Sequence, residues 1–288
     1  MLSNVILLND VNRTKSFINA IQEVVNPGDV VVDIGTGTGI LAMVAANAGA
    51  RKVYALESSP IVYTAEKIVA ANGMSDRIEV IPISSTGWNH PECVDVIISE
   101  TISDSAFNEG IIRTMIDAKR FSKPTTKIIP RNIKIFGIPI ELSSEYLDKI
   151  DFTSHNLMYW TDLYGFDFSP LSELNLDSSA NVAFRDIDYI ALAHPTLIAE
   201  VDLLNINTNK IDISTRINIQ KKGTLHGLLV YFDVSLSNNV SITNLVNDTH
   251  WRVRLVTLSH HKELIPLDDI LVRYRIDNSV MEKIEVMI

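Results

Sequence analysis

The chain has a single cysteine, Cys93, in 288 residues. It can form no internal disulfide and offers no thiol cluster for a structural zinc ion. Standing just before an apolar run, Cys93 reads as a small apolar filler of the core. No stretch of about 18 uncharged apolar residues occurs, which excludes a membrane-spanning helix. The amino terminus does not show a basic region, an apolar stretch and a small-residue cleavage site in succession, so the expected location is cytoplasmic. Positive charge is also scarce: 25 Lys and Arg face 35 Asp and Glu, for a net charge of −10. The first 130 residues carry 11 basic and 14 acidic side chains, the remainder 14 and 21. Without a basic stripe in either part, nucleic-acid phosphates are not an expected partner. A cationic substrate, by contrast, would be attracted by such a field. Internal repeats and low-complexity tracts are lacking too.

What is present suits a folded chain: 46% of the residues are apolar, and the length accommodates two modest domains. The most informative stretch is Val30-Val31-Val32-Asp33-Ile34-Gly35-Thr36-Gly37-Thr38-Gly39. It reads as a buried parallel strand, a glycine turn and the start of a helix. A dinucleotide fold spaces its glycines G-x-G-x-x-G and places its acid about 20 residues later. Here the pattern is D-x-G-x-G-x-G, with Asp33 at the strand end, and a second acid, Glu57, ends the next apolar strand. Glu57 can accept hydrogen bonds from both hydroxyls of a ribose. This arrangement predicts a site for S-adenosylmethionine, a sulfonium nucleoside with an amino-acid tail.

Around this stretch, strands and helices alternate. The periodicity predicts helices at 11–25, 60–71 and 106–120, and strands at 53–57, 78–83, 94–99 and 125–129. The result is an α/β, doubly wound parallel sheet, a Rossmann-like domain over residues 1–130. After Pro130 strand-like runs dominate, at 132–141, 197–206, 211–219, 224–236, 251–258, 269–276 and 282–288. Residues 131–288 therefore read as an antiparallel β domain, a barrel or sandwich. An aromatic insert at about 145–185, with Tyr159, Trp160, Tyr164, Phe166 and Phe168, has the character of an arm that docks on another subunit.

Two acids flank a loop at the carboxyl edge of the sheet, Glu100 and Glu109. Facing carboxylates repel unless a cation lies between them, and a planar guanidinium fills that role. A divalent metal and a helix-starting role for Glu109 are the alternatives that spacing leaves open. Farther on stands Thr249-His250-Trp251, just before a strand.

Glu57, the Glu100/Glu109 pair, the change to β structure after Pro130 and Thr249-His250-Trp251 occur together in this order. In this the chain resembles the protein arginine methyltransferase family, from about Leu7 onward and including Tyr164-Gly165-Phe166-Asp167 in the arm. The resemblance implies that Arg13, Asp33, Gly35, Thr36, Gly37, Gly39, Glu57, Ser58, Ser84, Ser85 and Glu100 line the cofactor site. It implies that Glu100 and Glu109 hold the guanidinium of a protein, a peptide or a small molecule such as free arginine. It further implies that His250 pairs with Asp10, that the β domain is a barrel, that the arm makes a homodimer, and that Pro130 follows a cis peptide bond.

The chain also departs from the family. The tyrosine-phenylalanine-x-x-tyrosine motif of the first helix would fall before residue 1, and Asn4 and Leu7 stand where many members have histidine and methionine. Ser84 and Ser85 occupy a segment where many members carry an acid. Thr101-Ile102-Ser103-Asp104 replaces tryptophan-methionine-glycine-tyrosine between the two glutamates. The competing readings are a catalytically degenerate dimeric scaffold and a methyltransferase for a non-guanidine small molecule.

Overall fold

The computed structural model describes residues 2–89, 92–174, 177–245, 249–277 and 281–288. Its first half runs α1 (Leu2–Asn9), α2 (Val11–Val24), β1 (Val30–Ile34), α3 (Ile40–Asn47), β2 (Lys52–Leu56), α4 (Val62–Ala71), β3 (Ile78–Ile81), β4 (Val94–Ser99), α5 (Ile111–Ala118) and β5 (Ser122–Ile129). The five strands form one parallel sheet in the order β3-β2-β1-β4-β5. All five residues of β1 are buried, as its central place requires. Chain order reverses between β1 and β4, and ligands of open parallel sheets bind outside the strand ends at such a switch point.

The second half runs β6 (Asn132–Leu142), α6 (Ser144–Ile150), α7 (Ser154–Tyr164), β7 (Ser178–Val182), β8 (Tyr189–Ala191), β9 (Thr196–Asp202), β10 (Ile211–Asn218), β11 (Gly223–Ser235), β12 (Ser241–Thr243), β13 (Val253–Leu264), β14 (Asp269–Asp277) and β15 (Met281–Met287). It is antiparallel throughout. One sheet follows β7-β13-β11-β6-β8, with β12 on β11 and β9 on β6; another follows β10-β14-β15. These two sheets are consistent with the expected barrel. A continuous apolar core runs from the parallel sheet through Ile129 and Ile133 into the β domain, ending on Val272 and Tyr274. The Ile129–Pro130 peptide bond at the junction is cis.

Several elements differ from their sequence expectation. The helix expected over 106–120 is confined to α5, because residues 103–110 are spent in a tight hairpin closed by a Ser103–Ala106 bridge. In the arm, α6 and α7 are followed by β7, whose residues are mostly exposed and show no apolar alternation. Pairing with β13, from Val253↔Val182 to Thr257↔Ser178, makes it a strand. Strand β13 in turn outruns its apolar stretch, because the polar residues up to Glu263 are held by β11. Cys93 is exposed, not a core filler: it lies one residue short of β4 and outside the sheet. No helix among the described residues is long and apolar enough to cross a membrane.

At Gly227 of the β domain it is the backbone of the neighbouring strand that leaves no room for a side chain. A Cβ on Gly227, in β11 beside a bulge, would stand 2.2 Å from the backbone oxygen of Val256. Neither strand can yield without breaking its ladder. Gly227→Ala should therefore cost about 3 kcal/mol, read as a lower urea midpoint at unchanged slope.

Candidate active site

Strand register assembles the site. Ile34 of β1 lies level with Leu56 of β2 and with Ser99 of β4. The residues that follow, Gly35, Glu57 and Glu100, therefore emerge side by side at the carboxyl edge of three adjacent strands. Gly35, Gly37 and Gly39 all have positive φ, at 76°, 55° and 84°. At Gly35 space matters as much as conformation, since a Cβ would meet the Thr101 methyl at 3.1 Å. Asp33 is fully buried beneath the turn and accepts the Thr36 hydroxyl at 2.5 Å. Burial pushes its carboxyl up to about 6 despite that hydrogen bond, and nearby Glu57 adds to the rise.

Both Glu57 oxygens are oriented by the backbone: Oε2 accepts from the Gly37 amide at 3.0 Å and Oε1 from the Ser59 amide at 2.7 Å. Ser58, between them, is exposed. Ser84 faces solvent with its hydroxyl on Thr86, whereas Ser85 is buried and gives its carbonyl to Arg120. Arg120 had no sequence signal, because its partner is a backbone atom.

Asp10 is the N-cap of α2, accepting from the Arg13 amide at 2.9 Å. Its other oxygen accepts both the backbone amide and Nδ1–H of His250, at 2.7 and 2.8 Å. Burial alone would raise the Asp10 carboxyl; the hydrogen bonds from His250 and Arg13 outweigh it and hold the group below its ordinary value. The carboxylate in turn fixes the proton of His250 on Nδ1.

The cap also places Arg13 in the first turn of α2. There Nη1 forms an ion pair with Glu100 and Nη2 donates to the Leu7 carbonyl at 2.7 Å. Arg13 Nε and Glu100 Oε1 are both buried without a hydrogen-bond partner. Burial pushes Glu100 up to about 8, with Glu109 and Asp10 adding to the rise and Arg13 opposing it. Glu109 lies across the hairpin at the surface. Its carboxyl is also raised, first by desolvation and then by Asp104, while His250 and Arg13 pull the other way.

The hairpin is tied to the β domain at two successive residues. Trp251 donates its indole N–H to the Ile102 carbonyl at 2.9 Å, and the Arg252 amide donates to Asp104 Oδ1 at 3.0 Å. Sequence reading singled out Trp251 but not Arg252, which contributes only its backbone. Helix α1 precedes the Asp10 cap. It approaches the glycine turn, with Asn4 Oδ1 3.6 Å from the position of a Cβ on Gly37. Among the described residues no set of three His, Cys, Asp or Glu side chains could hold a metal ion. Glu100 and Glu109, both with raised carboxyls, are the groups here that could take an organic cation, and the glycine turn with Glu57 could take a nucleoside.

Comparison with known proteins bears on the family and the fold. Residues 12–131 match the family model described as ribosomal protein L11 methyltransferase (PrmA). Residues 143–278 match the arginine methyltransferase oligomerization subdomain. The probable protein arginine N-methyltransferase 6 of Arabidopsis thaliana is 31% identical over 247 residues, covering 82% of this chain and 54% of that protein. The histone-arginine methyltransferase CARMER of Drosophila willistoni is 30% identical over 256 residues, covering 85% and 48%. The chain thus spans about half the length of the curated relatives it matches. Among solved structures, the Trypanosoma brucei PRMT1 enzyme-prozyme heterotetrameric complex with AdoHcy aligns with a TM-score of 0.79 at 22% identity, covering 99% of this chain and 96% of that one. The Arabidopsis thaliana protein arginine methyltransferase 10, in a uniquely open conformation, aligns at 0.77 and 23%, covering 100% and 97%. At such identities the structural likeness is one of fold, and it extends through both domains. The sequence matches carry it further: the chain belongs to the protein arginine methyltransferase family.

Proposed function

We propose that this chain transfers a methyl group from S-adenosylmethionine to a guanidino nitrogen of arginine, in a protein, a peptide or as the free amino acid. One observation carries the reading. Two oppositely charged side chains in contact, Arg13 and Glu100, each keep a buried polar atom without a partner, Nε and Oε1. Such atoms are costly unless a ligand satisfies them. Nε suits the carboxylate of an amino-acid tail, and Oε1 suits the N–H of a guanidinium. The glycine turn, free of Cβ atoms, and the oriented Glu57 carboxylate suit the nucleoside. When bound, S-adenosylmethionine supplies an electrophilic methyl group on a positively charged sulfur.

The residues of the chain do the rest. Glu100 and Glu109 hold the guanidinium from two sides and draw its positive charge toward the nitrogens they bind, so the attacking nitrogen keeps a usable lone pair. Fixed orientation then supplies much of the rate. His250, held on Asp10 through Nδ1, keeps Nε2 as the acceptor for the departing proton. The arm is proposed to join two copies: Met158, Tyr159, Leu163, Tyr164 and Phe166 are large and exposed, Phe166 at 70%. Exposed apolar side chains gathered on one helix and the turn after it suit an interaction surface.

Calorimetric titration with S-adenosylhomocysteine should give micromolar binding, and its absence would favour a non-catalytic scaffold. Glu100→Gln should lower turnover on an arginine-containing peptide by about 10²–10³-fold while leaving that binding largely intact; wild-type-like turnover would rule out the clamp. Only the ionised clamp holds a cation, and Glu100 is raised to about 8. kcat/KM for the peptide should therefore fall by about tenfold per pH unit below that value and level off above it. Sedimentation should show a dimer at micromolar concentration, and Leu163→Asp combined with Phe166→Asp should give a folded monomer.

A further inference from the structure

Glu100 is fixed by the end of β4 and by Arg13, but none of the described residues donates a hydrogen bond to the Glu109 carboxylate. Its position must come from the hairpin that carries it. Within that hairpin, Ala106 N–H donates to the Ser103 carbonyl at 2.8 Å and Asn108 N–H to the Ser103 hydroxyl at 3.0 Å. Ala106 is held at φ 64°, and Ile102, Ala106 and Phe107 are buried. The hairpin is therefore a stiff unit, and its placement is decided where it meets the rest of the molecule. Ile102, Ala106 and Phe107 sit in the main core. Two hydrogen bonds orient the hairpin against the β domain, the Trp251 indole on the Ile102 carbonyl and the Arg252 amide on Asp104. Asp104 stands at the tip of the hairpin and takes the amide of Arg252, two residues beyond His250.

We propose that Asp104 is a positioning residue: by taking the Arg252 amide it locks the hairpin to the His250–Arg252 segment and so sets where Glu109 stands relative to Glu100 and His250. The tie uses one carboxylate oxygen as an acceptor and does not need its charge. Three consecutive residues then hold two pieces of the site, the cap of α2 and the hairpin. His250 holds Asp10, Trp251 holds Ile102 and Arg252 holds Asp104. The inference builds on the proposed methyl transfer, but the tie itself can be measured without a methyl acceptor.

The test compares Asp104→Asn, which keeps an acceptor oxygen and loses the charge, with Asp104→Ala, which loses both. Amide hydrogen exchange is followed by mass spectrometry in peptides covering 100–110 and, as a control, 30–40. In Asp104→Ala the hairpin peptide should exchange about tenfold faster with the control unchanged, while Asp104→Asn behaves as wild type. With an arginine-containing peptide, kcat should fall about tenfold in Asp104→Ala at unchanged KM for S-adenosylmethionine, and Asp104→Asn should restore it. Wild-type exchange in Asp104→Ala would overturn the tie. Equal damage in both variants would overturn it in favour of a purely electrostatic role. If the wild-type chain methylates no guanidine, the proposed function fails, and the exchange result still decides the tie.

Discussion

The site depends on one buried carboxylate, that of Asp10. One of its oxygens starts helix α2, and the other holds His250, 240 residues away, by backbone and side chain together. An acid so deeply buried is tolerated because three donors converge on it. Remove them, and burial would favour the neutral form. The same bonds fix the first turn of α2, hence Arg13, and through Arg13 the acid at the end of β4. Helix, sheet and β domain are brought to one point by a single side chain, so the folding of either half on its own would leave the site unbuilt.

Charge is balanced closely here. Glu100, Glu109, Asp10 and Asp104 crowd the carboxyl edge of the sheet, against Arg13 and, when protonated, His250. Burial first, and then the neighbouring carboxylates, raise both glutamates. A cationic acceptor would be favoured between these carboxylates. The acidity of the whole chain extends the same preference outward as a weak attractive field.

What the sequence reveals and what it conceals follow from the range of the interactions. Asp33, Glu57 and Glu100 are legible because each ends an apolar run, and consecutive parallel strands bring such ends to one edge. The polar strand β7 is not, because a remote partner selects it. The bond between Asp10 and His250 has no local signal, because its partners stand 240 residues apart, and only family resemblance points to it. Those from Arg252 to Asp104 and from Arg120 to Ser85 were out of reach altogether, since a backbone amide or carbonyl carries no residue identity. The exposure of Cys93 was misread for a similar reason: one residue separates it from a buried strand, and the apolar run does not mark where burial stops.

The level ends of β1, β2 and β4 carry one last consequence. Side chains on a strand alternate between the two faces. Deleting or inserting a single residue in any of these strands would turn its terminal group away from the cleft while leaving the sheet free to form. The chain can exchange one apolar side chain for another along these strands and keep its chemistry. It cannot change their length. Variation among relatives should therefore appear as substitution within the strands, with insertions and deletions displaced to the turns at the opposite edge of the sheet.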